Sequence, residues 1–403
     1  MNVWLLQANE PMPIVNEGQR LFRMGLIAEE LTSRGHNVTW FATTFNHFEK
    51  KQMYDKDTDI KVKENYDIRL IWAPKYTKNI SIRRIINHKY MGMKLGKMIK
   101  HMEKPDVIYA SFPTIEFAEE AVKYGKKNNV PVIIDIRDLW PDIFNHNISK
   151  LKRIIAWPYI ELMQIKTKKI MKQAYAINGI SDKVVDWGLD KVNRSKTEND
   201  RGFLMGYESN VSESLKEVEG VNPNKFNLCY FGTLGNQYQY DTLIEVAKRL
   251  NNEEIDIYIC GLGPNYDTLR EKTKEFNCIK MLNWLNKDEL QYVLKNSKIG
   301  IANYKPTFDF QMAASNKFAE YLSYGLPVIL TSGGYMGELV DKYDCGINSE
   351  SVDDIVNYVL LLKNNIDKYK QKSKNAYNLF ESKFVAKKVY SELVDYLEKI
   401  KES

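Results

Sequence analysis

Strands and helices alternate along this chain in two separate runs, and that alternation restricts it to the α/β class. In the first run VWLLQ (Val3–Gln7) reads as a buried strand, and a long loop, Ala8–Gly18, follows it. GQRLFRMGLIAEELTSRGH then has helical spacing, with Leu21, Leu26, Ile27 and Leu31 on one face and Gly35 at its end. NVTWFAT is the next strand, and DVIYAS, a helix through Phe117 and Ala121, and VPVIIDI repeat the pattern. A strand that returns through a helix pairs in parallel, with a right-handed crossover. The second run does the same: LCYFGTLG enters a glycine turn, DTLIEVAKRL is a helix, and IDIYICGLGP, IGIAN and PVILT are strands.

At 403 residues the chain is too long for one ordinary core. Asp186–Phe226 is polar with little to bury, which places a connection near its end and domains over 1–205 and 206–385. Phe380–Lys399 reads as one long terminal helix, striped by Val385, Val389, Leu393, Val394 and Leu397. The four cysteines form no CxxC and there are only five histidines, so zinc-site spacing is absent and a reducing cytoplasm fits best. Met1–Ala8 lacks the basic leader of a signal peptide, and no apolar run reaches the roughly 18–20 residues of a membrane span.

Charge narrows the partners. A net charge of +6 suits an anionic substrate or membrane surface and falls short of a nucleic-acid-coating protein. It is concentrated in Lys75–Lys104, where Lys75, Lys78, Arg83, Arg84, Lys89, Lys94, Lys97, Lys100 and Lys104 face a single acid, Glu103. Ile82, Ile85, Ile86, Met91 and Met93 are interleaved with them. Each basic residue near an anionic leaflet contributes about 1 kcal/mol. The alternative is a solvated helix face over the core. The aromatic stacking platform that single-stranded nucleic acid needs is missing.

Chemistry gathers in SNKFAEYLSYGLPVIL (Ser315–Leu330). Small polar residues precede a predicted helix that carries Lys317 and Glu320 in its first turn or so. A helix start offers unpaired N–H groups and the positive end of the dipole, and Lys317 adds a full charge to it. Glu320 offers a carboxylate that two ribose hydroxyls can share. The pattern fits a nucleotide diphosphate; a plainly capped helix with a surface Lys and Glu is the competing reading. Gly232 and Gly235 allow a ligand close approach or simply make a turn. Gly261 and Gly263 bound a loop at the carboxyl edge of the sheet, where open α/β sheets bind ligands. Trp284 is either a core aromatic or the wall of such a site. Arg137 and Asp138 end a buried strand, as a site or as a structural pair.

Several of these segments together resemble one family. IDIRDLWPD (Ile134–Asp142), FGTLG (Phe231–Gly235), ICGLGP (Ile259–Pro264) and SNKFAEYLSYGLPVI are similar, in order and spacing, to segments of retaining glycosyltransferases of family 4, especially a bacterial surface-polysaccharide branch. The resemblance implies the GT-B fold: two Rossmann-like domains with parallel sheets facing across a cleft, and a C-terminal helix (386–403) returning to the N-terminal domain. It implies transfer of a sugar from a nucleotide-diphosphate donor, a UDP-sugar by preference, to a lipid-linked or growing glycan acceptor. No metal and no bound organic cofactor is implied. The work would take place in the cytoplasm, at the inner face of the membrane.

The resemblance also implies roles. Gly232, Thr233, Leu234, Gly235, Gly261, Gly263, Trp284, Leu285, Asn316, Lys317 and Glu320 surround the donor. Glu17, Gly18, Arg20, Arg137 and Asp138 face the acceptor, and Lys317 and Asp138 are the catalytic pair. Four positions depart from the family pattern. Thr233 and about Tyr238 stand where many members carry Arg and Lys, Met312 stands for the first of two paired glutamates, and Ser111 for a histidine. Two rival functions share the architecture: a non-hydrolysing sugar-nucleotide epimerase, which needs acid/base groups, and a non-catalytic nucleotide-sugar-binding subunit.

Overall fold

The computed structural model describes residues 1–14, 20–78, 81–144, 150–209 and 215–402. The chain divides into two units, Met1–Leu204 with Lys387–Ser403, and Met205–Ala386.

The first unit contains β1 (Asn2–Leu6), β2 (Asn37–Thr43), the short hairpin β3 (Phe45–Asn46) and β4 (Lys51–Gln52), β5 (Thr58–Lys63), β6 (Tyr66–Ile71), β7 (Val107–Phe112), β8 (Val132–Ile136) and β9 (Ala176–Gly179). Seven of these strands form a sheet in the order β5-β6-β2-β1-β7-β8-β9. Only β5 runs antiparallel to its neighbour. The central strands are buried on both faces, which is why they read as unbroken apolar runs. The helices are α1 (Arg23–Ser33), α2 (Ile82–Met98), α3 (Ile115–Asn128), α4 (Lys150–Gln173) and α5 (Asp182–Asp190), with α2 and α4 packed against α3.

The second unit has β10 (Leu228–Phe231), β11 (Ile257–Cys260), β12 (Ile279–Met281), β13 (Ile299–Ala302), β14 (Val328–Leu330) and β15 (Gly346–Asn348), all parallel, in the order β12-β11-β10-β13-β14-β15. Its helices are α6 (Tyr240–Leu250), α7 (Tyr266–Thr273), α8 (Lys287–Lys295), α9 (Phe308–Met312), α10 (Asn316–Ser323), α11 (Gly334–Tyr343), α12 (Val352–Asn364) and α13 (Ile366–Lys383). The last helix, α14 (Ala386–Glu402), belongs to the first unit from Lys387 onward. There Arg34 pairs with Asp395 at 2.5 Å, His36 with Glu398 at 2.7 Å, and the Tyr396 hydroxyl donates to the Asn199 carbonyl at 2.8 Å.

Two expectations are corrected. The terminal helix is interrupted: Phe384 turns its side chain into the core at 1% exposure and breaks α13 from α14. Its carbonyl accepts from Tyr207 N–H at 2.7 Å, and Ala386 N–H returns a bond to the Tyr207 carbonyl at 3.1 Å. Backbone pairing to a second segment has outcompeted helix continuation. The polar stretch from Asp186 is also not loose at its start. Residues up to Asp190 belong to α5, and Trp187, Leu189 and Phe203 are buried. Asp200, 1% exposed, holds Arg194, the Ile177 N–H at 2.8 Å and the Thr197 N–H at 2.9 Å. Polar residues with fixed partners fold as well as apolar ones.

One charged pair ties the first unit together. Arg23, the first residue of α1, and Asp135, inside β8, are both fully buried and meet in a two-pronged pair, both bonds 2.9 Å. The guanidinium also donates to the Phe203 carbonyl at 2.8 Å, the Leu204 carbonyl at 3.1 Å and the Tyr109 hydroxyl at 3.2 Å. Removing one partner of such a pair strands the other charge and costs about 3–5 kcal/mol. Asp135→Ala is therefore expected to lower unfolding free energy by about that amount, read from urea denaturation. The double change Arg23→Met with Asp135→Leu should cost clearly less than Asp135→Ala alone.

Candidate functional site

The segment after β10 turns sharply at Gly232, whose φ of 112° suits glycine. Its N–H donates to the Cys260 carbonyl at 2.9 Å, and the Leu234 N–H donates to the Leu262 carbonyl at 2.9 Å. The turns that follow β10 and β11 are thus zipped backbone to backbone. A Cβ on Gly261 would collide with the Gly232 carbonyl oxygen, and one on Gly263 with the Leu234 backbone. Gly261 and Gly263 make room for the neighbouring turn. Gly235 N–H bonds to the Thr233 carbonyl at 2.9 Å. The turn therefore contributes close approach more than unused donors.

Two phenols pin this turn from below. Tyr230 OH donates to the Thr233 carbonyl at 3.1 Å, and Tyr240 OH to the Gly235 carbonyl at 2.9 Å. The segment beyond it runs beside the segment after β13. Gln239 N–H donates to the Asn303 carbonyl at 2.7 Å, and Lys305 N–H to the Gln237 carbonyl at 2.9 Å. This pairing sets Tyr238 against Tyr304, with ring centroids 5.0 Å apart, and Phe310 of α9 stacks on Tyr304 at 4.2 Å.

Helix α10 delivers its lysine into these rings. Ser315 caps the helix by accepting the Phe318 N–H at 3.2 Å and is itself held by Tyr304 OH at 3.0 Å. Tyr321 OH donates to the Cys229 and Ile301 carbonyls at 2.9 and 3.0 Å, fixing the helix over β10 and β13. Lys317 is only 7% exposed. Its Nζ lies 3.8 Å from the centre of the Tyr230 ring, 4.2 Å from Tyr238, 5.6 Å from Tyr304 and 5.7 Å from Phe231. It has no hydrogen-bond partner among the described residues. A Cβ placed on Gly232 would sit 3.6 Å from this nitrogen. The missing side chain leaves the amine a neighbour it can be approached across.

The cation expected at the helix start is therefore a buried amine, and the competing reading of a surface lysine is corrected. Ring faces favour an ammonium by about 0.5–2 kcal/mol each. Loss of hydration costs several kcal/mol per ion. Burial wins: it holds the Lys317 amine well below the ordinary lysine range, although Cys229 and Glu320 both favour its charged form. The surrounding phenols stay protonated, because burial raises Tyr230, Tyr238 and Tyr304, and takes Tyr240 up to about 12.

The remaining donor candidates lie in this unit. Asn316 is exposed at the head of α10, and Glu320 is half-buried one turn on. Thr233 is exposed and Leu234 is fully buried. Trp284 is 64% exposed, which overturns its reading as a core aromatic, and Leu285 is half-buried. Met312 ends α9 and is half-buried, as is Asp309.

The acceptor candidates lie in the first unit. Glu17 and Gly18 fall outside the described residues. Arg20 and Asp138 are exposed, so Arg137 and Asp138 are not a buried pair. Arg137 pairs with Glu10, whose other oxygen accepts the Met24 N–H at 2.8 Å and so caps α1. Ser111 is buried in β7 and accepts from the Gln7 side chain at 3.1 Å. Sequence reading missed the ring cage of Tyr230, Tyr238 and Tyr304. The available signal was three tyrosines at the ends of two predicted strands, where a parallel sheet gathers its ligand-facing residues.

Residues 211–379 match the family of glycosyl transferases, group 1. The match lies wholly within the second unit. The complete chain shares its fold with sucrose-phosphate synthase from Thermosynechococcus elongatus at 11% identity and a TM-score of 0.71, covering 99% of this chain and 98% of that one. It is similar to HepE from Anabaena in complex with UDP, at 12% identity and 0.64, covering 99% and 100%. It is similar also to the catalytic domain of starch synthase IV from Arabidopsis thaliana bound to ADP and acarbose, at 10% and 0.66, covering 100% and 99%. No curated protein sequence matches the chain. The two Rossmann-like units are those of the GT-B fold, and the glycosyl transferase match falls on the unit that holds the Lys317 cage.

A buried polar group without a hydrogen bond costs about 1–3 kcal/mol. Lys317→Met fills the same cage with an apolar chain and is expected to raise the stability of the second unit at pH 7. The sign with pH follows from linkage. The amine, depressed in the folded chain, is free of its proton while the unfolded chain still binds one, up to the ordinary value of 10.5. Stability of the parent chain therefore rises with pH in that window, by up to about 1.4 kcal/mol per unit. The advantage of Lys317→Met, measured by denaturation at pH 7 and pH 10, should shrink.

Proposed function

We propose that this chain is a retaining glycosyltransferase that moves a sugar from a UDP-sugar to a lipid-linked or growing glycan acceptor during bacterial surface-polysaccharide synthesis. The observation that carries the reading is the unpartnered Lys317 amine beneath the Gly232 turn, at the carboxyl edge of a parallel sheet. The glycosyl transferase match over 211–379 supports it, as does the likeness to HepE, which has been crystallised with UDP and with UDP-glucose.

In this reading the diphosphate lies across Gly232, with Lys317 and the first N–H groups of α10 beneath it. Charge on the leaving diphosphate grows as the glycosidic bond breaks, and a fixed cation stabilises that growth. Glu320 accepts the ribose hydroxyls, and the exposed Trp284–Leu285 segment borders the nucleobase. Arg20, Arg137 and Asp138 of the first unit, with Glu17 and Gly18, serve the acceptor. No metal or organic cofactor enters the scheme. Mixing donor and acceptor tests it. A transferase releases UDP, an epimerase converts the sugar without release, and a binding subunit does neither.

The lipid-linked acceptor brings a membrane with it. No helix among the described residues is long and apolar enough to cross one. Helix α2 instead exposes Ile82 (76%), Ile86 (49%) and Met93 (59%) together with Arg83, Lys89 and Lys97, and the turn that follows it exposes Lys100. Two other basic residues of this helix are engaged within the unit: Lys94 pairs with Asp57 at 2.6 Å, and Arg84 lies over the Trp140 ring at 5.1 Å. The face is apolar at its centre and basic around it, as an anionic leaflet requires.

Two outcomes follow. Glu320→Ala should weaken UDP binding by about 1.5–3 kcal/mol for each charged hydrogen bond lost, with the fold retained; unchanged affinity by calorimetry would refute the ribose role. Changing Arg83, Lys89, Lys97 and Lys100 to Glu should abolish co-flotation with anionic vesicles. The parent chain should detach as salt rises from 0.1 M to 1 M and the Debye length falls from about 10 Å to about 3 Å.

A further inference from the structure

Every lysine needs a partner for its charge or water around it, and Lys317 has neither. Three tyrosine rings and Phe231 close round its nitrogen, all within 5.7 Å. None offers it a hydrogen bond. The phenol oxygens are turned to other work: Tyr230 to the Thr233 carbonyl, Tyr304 to Ser315. The cage is thus a rigid apolar sleeve with one small residue, Gly232, beside the amine.

We propose that Tyr230, Tyr238 and Tyr304 are positioning residues that keep the Lys317 amine uncharged while the site is empty, so that a nucleotide diphosphate arriving across Gly232 binds together with one proton. The inference rests on the nucleotide reading of this site and adds to it a linkage between donor and proton. The proton comes from solvent and goes to the lone pair of Nζ; no covalent bond between ligand and protein forms or breaks. Before the ligand arrives, an ammonium would be stripped of water with no oxygen to replace it. Once a phosphate oxygen stands beside Gly232, the same position becomes favourable for the charge.

The groups around the amine bear on the direction. From β10 come Cys229 and Tyr230, from the segment beyond the turn Tyr238, from the segment after β13 Tyr304, and from its own helix Glu320. The phenols are neutral well above pH 8, since burial raises all three. Glu320 and Cys229 favour the charged form, and burial outweighs them. The amine is thus the group in this cluster whose charge state a diphosphate changes.

The test is calorimetry of UDP binding to the full chain at pH 8, in two buffers of different ionisation enthalpy. The parent chain should take up close to one proton per UDP, seen as a heat that differs between buffers, and affinity should fall towards tenfold per pH unit as pH rises. Lys317→Arg carries a permanent charge and should bind UDP with no buffer dependence. Tyr238→Leu opens the sleeve to water and should lose the uptake, whereas Tyr238→Phe keeps the ring and should retain it. Heat in the parent chain that is independent of buffer overturns the proposal and leaves the nucleotide site standing. Absence of any UDP binding by the parent chain overturns the nucleotide reading itself, and the proposal with it.

Discussion

A guanidinium with no access to water fixes the geometry of the first unit. Arg23 is fully buried, and its donors are divided among Asp135, two chain carbonyls and a phenol. Helix α1 cannot shift along the sheet without breaking the pair with β8, and the chain at Phe203–Leu204 cannot leave without exposing the same charge to nothing. Glu10 adds a second anchor at the start of α1, through the Met24 N–H and Arg137.

The second unit treats a buried basic group in the opposite way. Arg23 is satisfied on every side, and Lys317 is given rings in place of oxygens. The first arrangement is rigid and complete. In the proposed reading the second is completed when a diphosphate supplies an anion. That contrast is the physical ground for reading one as scaffold and the other as site, and it holds although Lys317 is nearly as inaccessible as Arg23.

The parallel arrays were legible in the sequence because their strands are buried on both faces and so are written as apolar runs between helical repeats. The start of α10 was legible too, because Ser315 is a capping residue and the positions after it have helical spacing. What could not be read was direction. Spacing places Lys317 near the head of a helix, but whether its long chain turns outward to water or inward under Gly232 depends on Tyr230, Tyr238 and Tyr304, which are distant in sequence. The break at Phe384 was hidden for the same reason, since its competitor, Tyr207, lies far back along the chain. The ion pair of Arg137 with Glu10 was hidden too, because Glu10 is a neighbour in space and not in sequence.

The glycines at 232 and 261 are one feature written twice. Gly261 has no side chain because the Gly232 carbonyl occupies that space, and Gly232 can hold its turn because Cys260 offers it a carbonyl. Neither position is free to drift by itself. Among descendants of this sequence the two should change together or not at all, so the second glycine records the path of the first turn.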